Sequence, residues 1–114
     1  MLPRGRTLPR KLFPRHTDAH ILWNGGMLRV RCYMKAKPEE SARFAIVVSK
    51  KQYPSTAARN LFKRRVFGAL HGDLSLFDKF RFGRYVIFPK GSVDQISYTD
   101  ITKDINALIA QCSR

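Results

Sequence analysis

One stretch of the chain joins a lysine pair to a helix rich in cations. The lysines, Lys50 and Lys51, directly follow an apolar run. If the chain is helical from about Ser55 to Leu70, its 3.6-residue period places four polar residues on one arc, namely Arg59, Asn60, Lys63 and Arg64. The opposite arc is apolar and consists of Ala58, Phe62, Val66 and Ala69. Because guanidinium and ammonium groups pair with phosphate oxygens, this pattern indicates binding to the backbone of a polyanion.

The charge of the whole chain favours the same chemistry. It has 22 Lys and Arg against 8 Asp and Glu, a net charge of +14 over 114 residues. Such an imbalance repels itself unless a polyanion neutralises it, and nucleic acid or an anionic membrane surface are the obvious partners. A basic helix taken alone is equally typical of a solvated helix face. Together with the lysine pair and the net charge, it favours nucleic acid.

A second pattern lies on the segment Leu28 to Lys35, where apolar and basic residues alternate as in a strand with one buried face. Its polar face carries Tyr33 next to Arg31. An aromatic ring between cations is suited to stack an unpaired base while the cations hold its phosphates. The alternative is an edge strand that charge protects from aggregation.

The size and the patterns predict how the chain is organised. A single domain over residues 1–114, begun by a basic arm over 1–10, fits the length and the 44% apolar content. We expect a short helix within Lys11 to Trp23, followed by two strands, Leu28 to Lys35 and Phe44 to Ser49, that pair across a hairpin. A helix from Ser55 to Leu70, a strand from Tyr85 to Phe88 and a last helix from Ser97 to Cys112 should follow in that order. This is an α+β sandwich with a mostly antiparallel sheet of three to four strands and about three helices.

Several other classes of function are disfavoured. No apolar run approaches the length of about 20 residues that a spanning helix needs, and the basic start lacks the centre of a signal peptide, so we expect a cytoplasmic protein. Cys32 and Cys112 lack metal-site spacing and are expected to be reduced thiols. His16 and His20 could share a helix face as zinc ligands, but no third ligand is evident. Nothing brings a histidine and Lys51 together as a nuclease would need, so no catalytic residue is assigned.

The signature Val48-Ser49-Lys50-Lys51, followed by Arg59-Asn60 and Lys63-Arg64, resembles that of the bacterial ribonuclease P protein subunit, V-S-K-K and then R-N-R-x-K-R. The resemblance implies an accessory subunit that helps a catalytic RNA remove the 5′ leader from precursor tRNA. It further implies Mg²⁺ bound mainly by the RNA, a protein that is monomeric apart from the RNA, and a fold like the second domain of ribosomal protein S5 with a left-handed βαβ crossover. The alternative is a small ribosomal or chaperone-type RNA-binding protein without an enzymatic role.

The resemblance also assigns residues to two RNAs. The helix would contact the catalytic RNA through its polar arc and the adjoining cation, which are Arg59, Asn60, Lys63, Arg64 and Arg65. The groove for the single-stranded leader, between the first helix and the open sheet face, would be lined by Phe13, Val47 and Lys51. From the pattern of the strand and the lysine pair we add Arg31, Tyr33 and Lys50 to it. The chain departs from the family where Leu61 and Phe67 replace arginines, and where Gly68 replaces a common acidic residue.

Overall fold

The structure is a computed structural model, and it describes residues 7–8, 20–35, 37, 39–72, 74–90 and 97–112. The predicted α+β class is confirmed by one four-stranded sheet and three helices. In chain order the elements are β1 (His20–Asn24), β2 (Leu28–Met34), β3 (Arg43–Ile46), α1 (Thr56–His71), α2 (Leu74–Phe77), β4 (Phe82–Pro89) and α3 (Tyr98–Cys112).

The sheet is mixed and has the strand order β1-β2-β4-β3. β1 with β2 and β2 with β4 are antiparallel, whereas β3 and β4 are parallel and are joined through α1 and α2. The predicted hairpin between β2 and β3 is therefore wrong, because β4 lies between them. β4 is buried on both faces along most of its length, as a central strand should be, and alternation in β2 cannot reveal which strand is its neighbour. The left-handed crossover stays a prediction.

The start of the sheet also corrects the prediction of a helix within Lys11 to Trp23. Residues 11–19 lie outside the described part of the chain, but His20 to Trp23 belong to β1 and pair with β2 in the register Trp23↔Val30. Asn24, Gly25 and Gly26 form the turn of a hairpin between two strands and do not end a helix. The short helix α2 was not predicted.

A carboxylate from the last helix holds this hairpin turn. Asp104 is 9% exposed and accepts hydrogen bonds from the backbone N–H groups of Gly26 (3.2 Å), Met27 (2.7 Å) and Leu28 (2.8 Å). Three donors satisfy a buried carboxylate that would otherwise be costly to desolvate. The start of β2 is thereby fixed relative to α3.

Both long helices begin where the sequence predicts. Ser55 is the N-cap of α1, and its hydroxyl accepts a hydrogen bond from the N–H of Ala58 at 3.3 Å. Before α3, the Asp100 N–H donates to the Ser97 hydroxyl at 3.2 Å and the Ser97 N–H donates to the Asp100 carboxylate at 3.5 Å, so the two residues form a capping box. α1 continues to His71, and Gly72 is its C-cap.

The two faces of the sheet pack differently. The main core lies between one face and the helices α1 and α3, and its largest buried side chains include Phe44, Phe62, Phe77, Tyr85, Ile101 and Ile105. On the other face a smaller cluster joins Leu8, Tyr33, Ala45 and Val86, with Val47 and Phe88 partly buried against it. The helices α1 and α3 therefore lie on one side of the sheet.

Candidate nucleic-acid interface

The lysine pair lies at the tip of a tight turn between β3 and α1. The Ser49 hydroxyl accepts a hydrogen bond from the Gln52 N–H at 3.1 Å, and the Tyr53 N–H donates to the Ser49 carbonyl at 3.0 Å. The side-chain amide of Gln52 donates to the carbonyl of Pro89 at 3.1 Å, which ties the turn to the end of β4. Lys50 and Lys51 are exposed on this turn. Their charges are thus presented to solvent by a fixed backbone.

The polar arc of α1 faces away from the core, as its period predicts. Phe62 and Val66 on the opposite arc are completely buried, and both belong to the main core. Asn60 and Arg64 lie on the exposed arc, while Lys63 and Arg65 lie at its two edges and are half-buried. We call Asn60, Lys63, Arg64 and Arg65 the α1 basic surface. A rigid helix holds these hydrogen-bond donors, which are suited to phosphates.

Arg59 has a role within the protein that the sequence did not indicate. Its Nη1 donates to the carbonyls of Tyr53 at 2.8 Å and Pro54 at 3.0 Å, and its Nη2 donates to the Thr56 hydroxyl at 3.0 Å. The guanidinium therefore fastens the turn that carries the lysine pair to the first turn of α1. Its contact with RNA stays a prediction.

The departures from the family signature have distinct surroundings. Phe67 is half-buried and packs against the main core, so its ring serves packing. Leu61 is 36% exposed. Gly68 lies under the ring of Tyr98, where an added Cβ would be 3.4 Å from the Tyr98 Cε2, an ordinary contact that leaves room for a side chain.

Arginines and aromatic rings alternate across the second face of the sheet. The antiparallel register sets Tyr33 opposite Arg84 and Arg31 opposite Val86. The Arg31 guanidinium lies 5.1 Å from the ring centroid of Phe88, and that of Arg84 lies 5.8 Å from the Tyr33 ring centroid. Both are cation–π distances. We call Arg31, Tyr33, Val47, Arg84 and Phe88 the second sheet face.

The expectation that Tyr33 is an open stacking platform is wrong for this structure. Tyr33 is only 2% exposed, because Leu8 packs in the same cluster and the ring of His20 lies 4.9 Å from the Tyr33 ring. Leu8 is held in place by a hydrogen bond of 2.8 Å from its N–H to the carbonyl of Phe44. Alternation showed that Tyr33 faces away from the main core, but it could not show what covers that face. Phe88 is the less buried ring, since it is only half-buried.

The structure brings together some of the predicted leader residues and adds two. Arg31 and Val47 lie on the second sheet face with Tyr33, while Lys50 and Lys51 lie on the turn that follows β3. Phe13 lies outside the described residues. The sequence reasoning missed Arg84 and Phe88, although the alternation Arg84, Val86, Phe88 within β4 could have indicated both.

The described residues contain neither a group of metal-ligating side chains nor a helix that could span a membrane. Within the described part of the chain, no three or more His, Cys, Asp or Glu side chains are grouped so that they could hold a metal ion. His16 lies outside that part, and His20 lies on a strand, so the predicted shared helix face does not hold for it. None of the described helices is long and apolar enough to cross a membrane.

The fold is that of a small, strongly basic protein of the α+β class. The family model for ribonuclease P (RNase P) matches residues 10–113, and the chain therefore belongs to the RNase P protein family, as a subunit of an endoribonuclease that matures the 5′ end of tRNA. Among curated protein sequences, no match is found.

Solved structures of RNase P proteins share the fold. The protein from Thermotoga maritima matches with a TM-score of 0.65 at 15% identity, over 81% of this chain and 83% of that one. The protein from Staphylococcus aureus matches with a TM-score of 0.66 at 16% identity, over 83% of this chain and 84% of that one. At this identity, the likeness concerns the arrangement of helices and strands.

Proposed function

We propose that this chain joins a catalytic RNA to precursor tRNA by binding the two RNAs on opposite sides of its sheet. The observation that carries the proposal is the separation of its two basic surfaces. The α1 basic surface points outward from the layer of helices, whereas the second sheet face lies behind the sheet. One protein can then hold two RNAs without competition between them.

The α1 basic surface is proposed to bind the catalytic RNA. Lys63, Arg64 and Arg65 can pair with phosphates, and the Asn60 amide can both donate and accept hydrogen bonds. A straight helix presents these groups at fixed spacing, which suits a structured RNA whose phosphates are also fixed. Arg59 keeps its proposed place in this set and also anchors the turn before the helix.

The second sheet face is proposed to bind the single-stranded leader. Arg31 lies over the ring of Phe88 and Arg84 over that of Tyr33, so each cation is held beside an aromatic face. Base stacking on rings, with cations along the backbone, binds single strands with little dependence on sequence. Val47, Lys50, Lys51 and Phe13 extend the proposed groove, and Tyr33 forms its buried floor.

We propose that Mg²⁺ is bound mainly by the catalytic RNA and supplies the charge stabilisation that phosphodiester hydrolysis needs. The described residues of this chain do not group carboxylates for such an ion, so no step is assigned to the protein through it. The contribution of the chain is to bind and orient both RNAs. We further propose that it is a single domain, monomeric apart from the RNA, and works in the cytoplasm where precursor tRNA is made.

Reconstitution tests this proposal. The protein is mixed with a bacterial RNase P RNA, and cleavage of precursor tRNA is followed at an Mg²⁺ concentration too low for the RNA alone. We expect the protein to restore cleavage at the 5′ leader junction, and to cleave nothing without the RNA. An unchanged rate, together with recovery of only ribosomal RNA in a pull-down, would favour the ribosomal or chaperone-type alternative.

A further inference from the structure

A cavity of about 160 Å³ lies between β1 and the C-terminal end of α3. Ile21 and Trp23 line it from β1. The register sets Ile21 opposite Cys32, and Cys32 belongs to the main core, so this cavity is on the helix side of the sheet. β1 is the end strand of the sheet, and Ile21 is 49% exposed. A small molecule can therefore reach the cavity from solvent.

The interior of the cavity is apolar. Its buried lining comes from β2, β4 and α3 and consists of Cys32, Phe82, Leu108 and Cys112. The ring of Trp23 lies so close over Gly25 that a Cβ added to Gly25 would collide with it, which fixes this wall of the cavity. An apolar cavity of about 150 Å³ accommodates a benzene molecule. The volume therefore fits one six-membered ring.

One cation lies at the mouth of the cavity. Arg81 is exposed, and its guanidinium lies 5.0 Å from the ring centroid of Phe82. Among the described residues that line the cavity, Arg81 alone is charged, and the exposed Asn24 and Gln111 add neutral amides. The C-terminal end of α3 carries about half a negative charge, which is less than the full positive charge of Arg81. The mouth therefore favours a negatively charged group.

We propose that this cavity binds single-ring aromatic carboxylates, of which benzoate is the simplest. The ring enters the apolar interior and lies beside Trp23 and Phe82. The carboxylate stays at the mouth and accepts charge-assisted hydrogen bonds from Arg81. A ring without the charge leaves Arg81 unused, and a carboxylate without the ring leaves the cavity unfilled. The site therefore selects molecules that have both parts.

The cavity is separate from both proposed RNA surfaces. None of its lining residues belongs to the α1 basic surface or the second sheet face, and it lies on the opposite side of the sheet from the latter. The inference therefore does not rest on the proposed function, and each can fail without the other.

The test uses the fluorescence of Trp23, which is the single tryptophan of the chain and lines the cavity. The full-length protein is titrated with benzoate, with benzamide and with acetate at constant ionic strength. We expect a saturable change with benzoate and with benzamide, and tighter binding of benzoate by about tenfold, because it adds a charged hydrogen bond. Acetate, which has the charge without the ring, should leave the fluorescence unchanged.

A pair of variants assigns this preference to one cation. Arg81→Gln keeps the apolar interior and should bind benzoate and benzamide with equal affinity. Lys79→Gln removes the same charge from an exposed position nearby that does not line the cavity, and it should keep the preference. Both positions are exposed, and thermal unfolding without ligand checks that the variants are folded.

Nuclear magnetic resonance of the wild-type protein locates the site without any variant. Benzoate should shift the indole N–H signal of Trp23 and the side-chain amide of Gln111. Shifts confined to the α1 basic surface or the second sheet face would overturn the inference, because they would show only a general attraction of anions to a cationic protein. Equal responses to benzoate and acetate, or equal loss of the preference in Arg81→Gln and Lys79→Gln, would overturn it as well.

Discussion

The α1 basic surface and the second sheet face are both cationic, but they hold their cations in different ways. On α1, Arg64 projects from a rigid helix into solvent, with the apolar arc buried behind it. On the sheet, Arg31 and Arg84 lie against the rings of Phe88 and Tyr33. The first arrangement offers charge to phosphates, and the second offers charge together with flat apolar surface.

This difference indicates which kind of RNA each surface is suited to bind. A row of exposed cations gains its energy from phosphates and is sensitive to salt. Arg31 and Arg84 lie against aromatic rings, and the half-buried ring of Phe88 leaves apolar surface that an unpaired base can cover. The α1 basic surface therefore suits a folded RNA backbone, and the second sheet face suits a single strand.

The largest expected effect is the loss of stability when the carboxylate that holds the β1–β2 turn is removed. Replacing Asp104 with alanine leaves three backbone N–H groups of the β1–β2 turn without their acceptor, and we expect a loss of about 3 kcal/mol in the free energy of unfolding. Denaturant unfolding followed by circular dichroism measures this loss. Asp100→Ala, which removes a cap on the same helix, is the matched control and should cost only about 1 kcal/mol. Equal losses would show that the three hydrogen bonds contribute little.

The second prediction separates the α1 basic surface from the rest of the positive charge. Lys63→Ala combined with Arg64→Ala should weaken binding to the catalytic RNA by about 2 kcal/mol and lower the slope of log affinity against log salt by about two units. The control variant Lys79→Ala with Lys103→Ala removes the same charge from exposed positions elsewhere. Binding titrations at several salt concentrations give both numbers. If the control changes the slope as much, the helix face has no special role.

The third prediction concerns Phe88, the half-buried ring of the second sheet face. Phe88→Ala should weaken binding of leader-bearing precursor tRNA to the reconstituted enzyme by about 1 kcal/mol, because a stacked base loses its platform. Binding of mature tRNA, which lacks the leader, should be unchanged. Phe88→Leu keeps the apolar packing without the aromatic face and controls for a structural effect. Equal weakening for both tRNAs would remove Phe88 from the leader site.

The smallest expected effect tests whether Gly68 is needed on α1. Because a Cβ at this position meets only ordinary contacts with Tyr98, Gly68→Ala should raise the free energy of unfolding by about 0.5 kcal/mol. Affinity for the catalytic RNA should not change. Thermal unfolding and one binding titration check both statements, and a destabilised variant would mean that the close packing of Tyr98 matters more than helix propensity.

The sequence predicts α1 well because a helix carries its own pattern. The buried arc with Phe62 and Val66 and the exposed arc with Asn60 and Arg64 follow from a period of 3.6 residues within one segment. The N-cap Ser55 follows from the type of residue at the start of the helix. The additional role of Arg59 was missed because its partners are backbone carbonyls in the preceding turn, which carry no sequence signal.

The second sheet face was predicted less completely because three separate segments build it. Arg31 and Tyr33 were found from alternation in β2, but Arg84 and Phe88 join them only through the register between β2 and β4. The cover of Tyr33 by Leu8 depends on a contact between distant segments. That Cys32 and Cys112 line the same cavity was missed for the same reason. Local periodicity indicates which side of the sheet a side chain faces. Which strands pair, and which residues cover a face of the sheet, depends on the whole fold.

The most direct test of two RNA surfaces compares two variants of the reconstituted enzyme in two assays. Lys63→Ala with Arg64→Ala and the single change Phe88→Ala are each assayed for affinity to the catalytic RNA and for the ratio of affinities for precursor and mature tRNA. We predict that the helix variant lowers only the first quantity and the sheet variant only the second. Loss of both quantities in the same proportion by both variants would contradict the separation of the two surfaces.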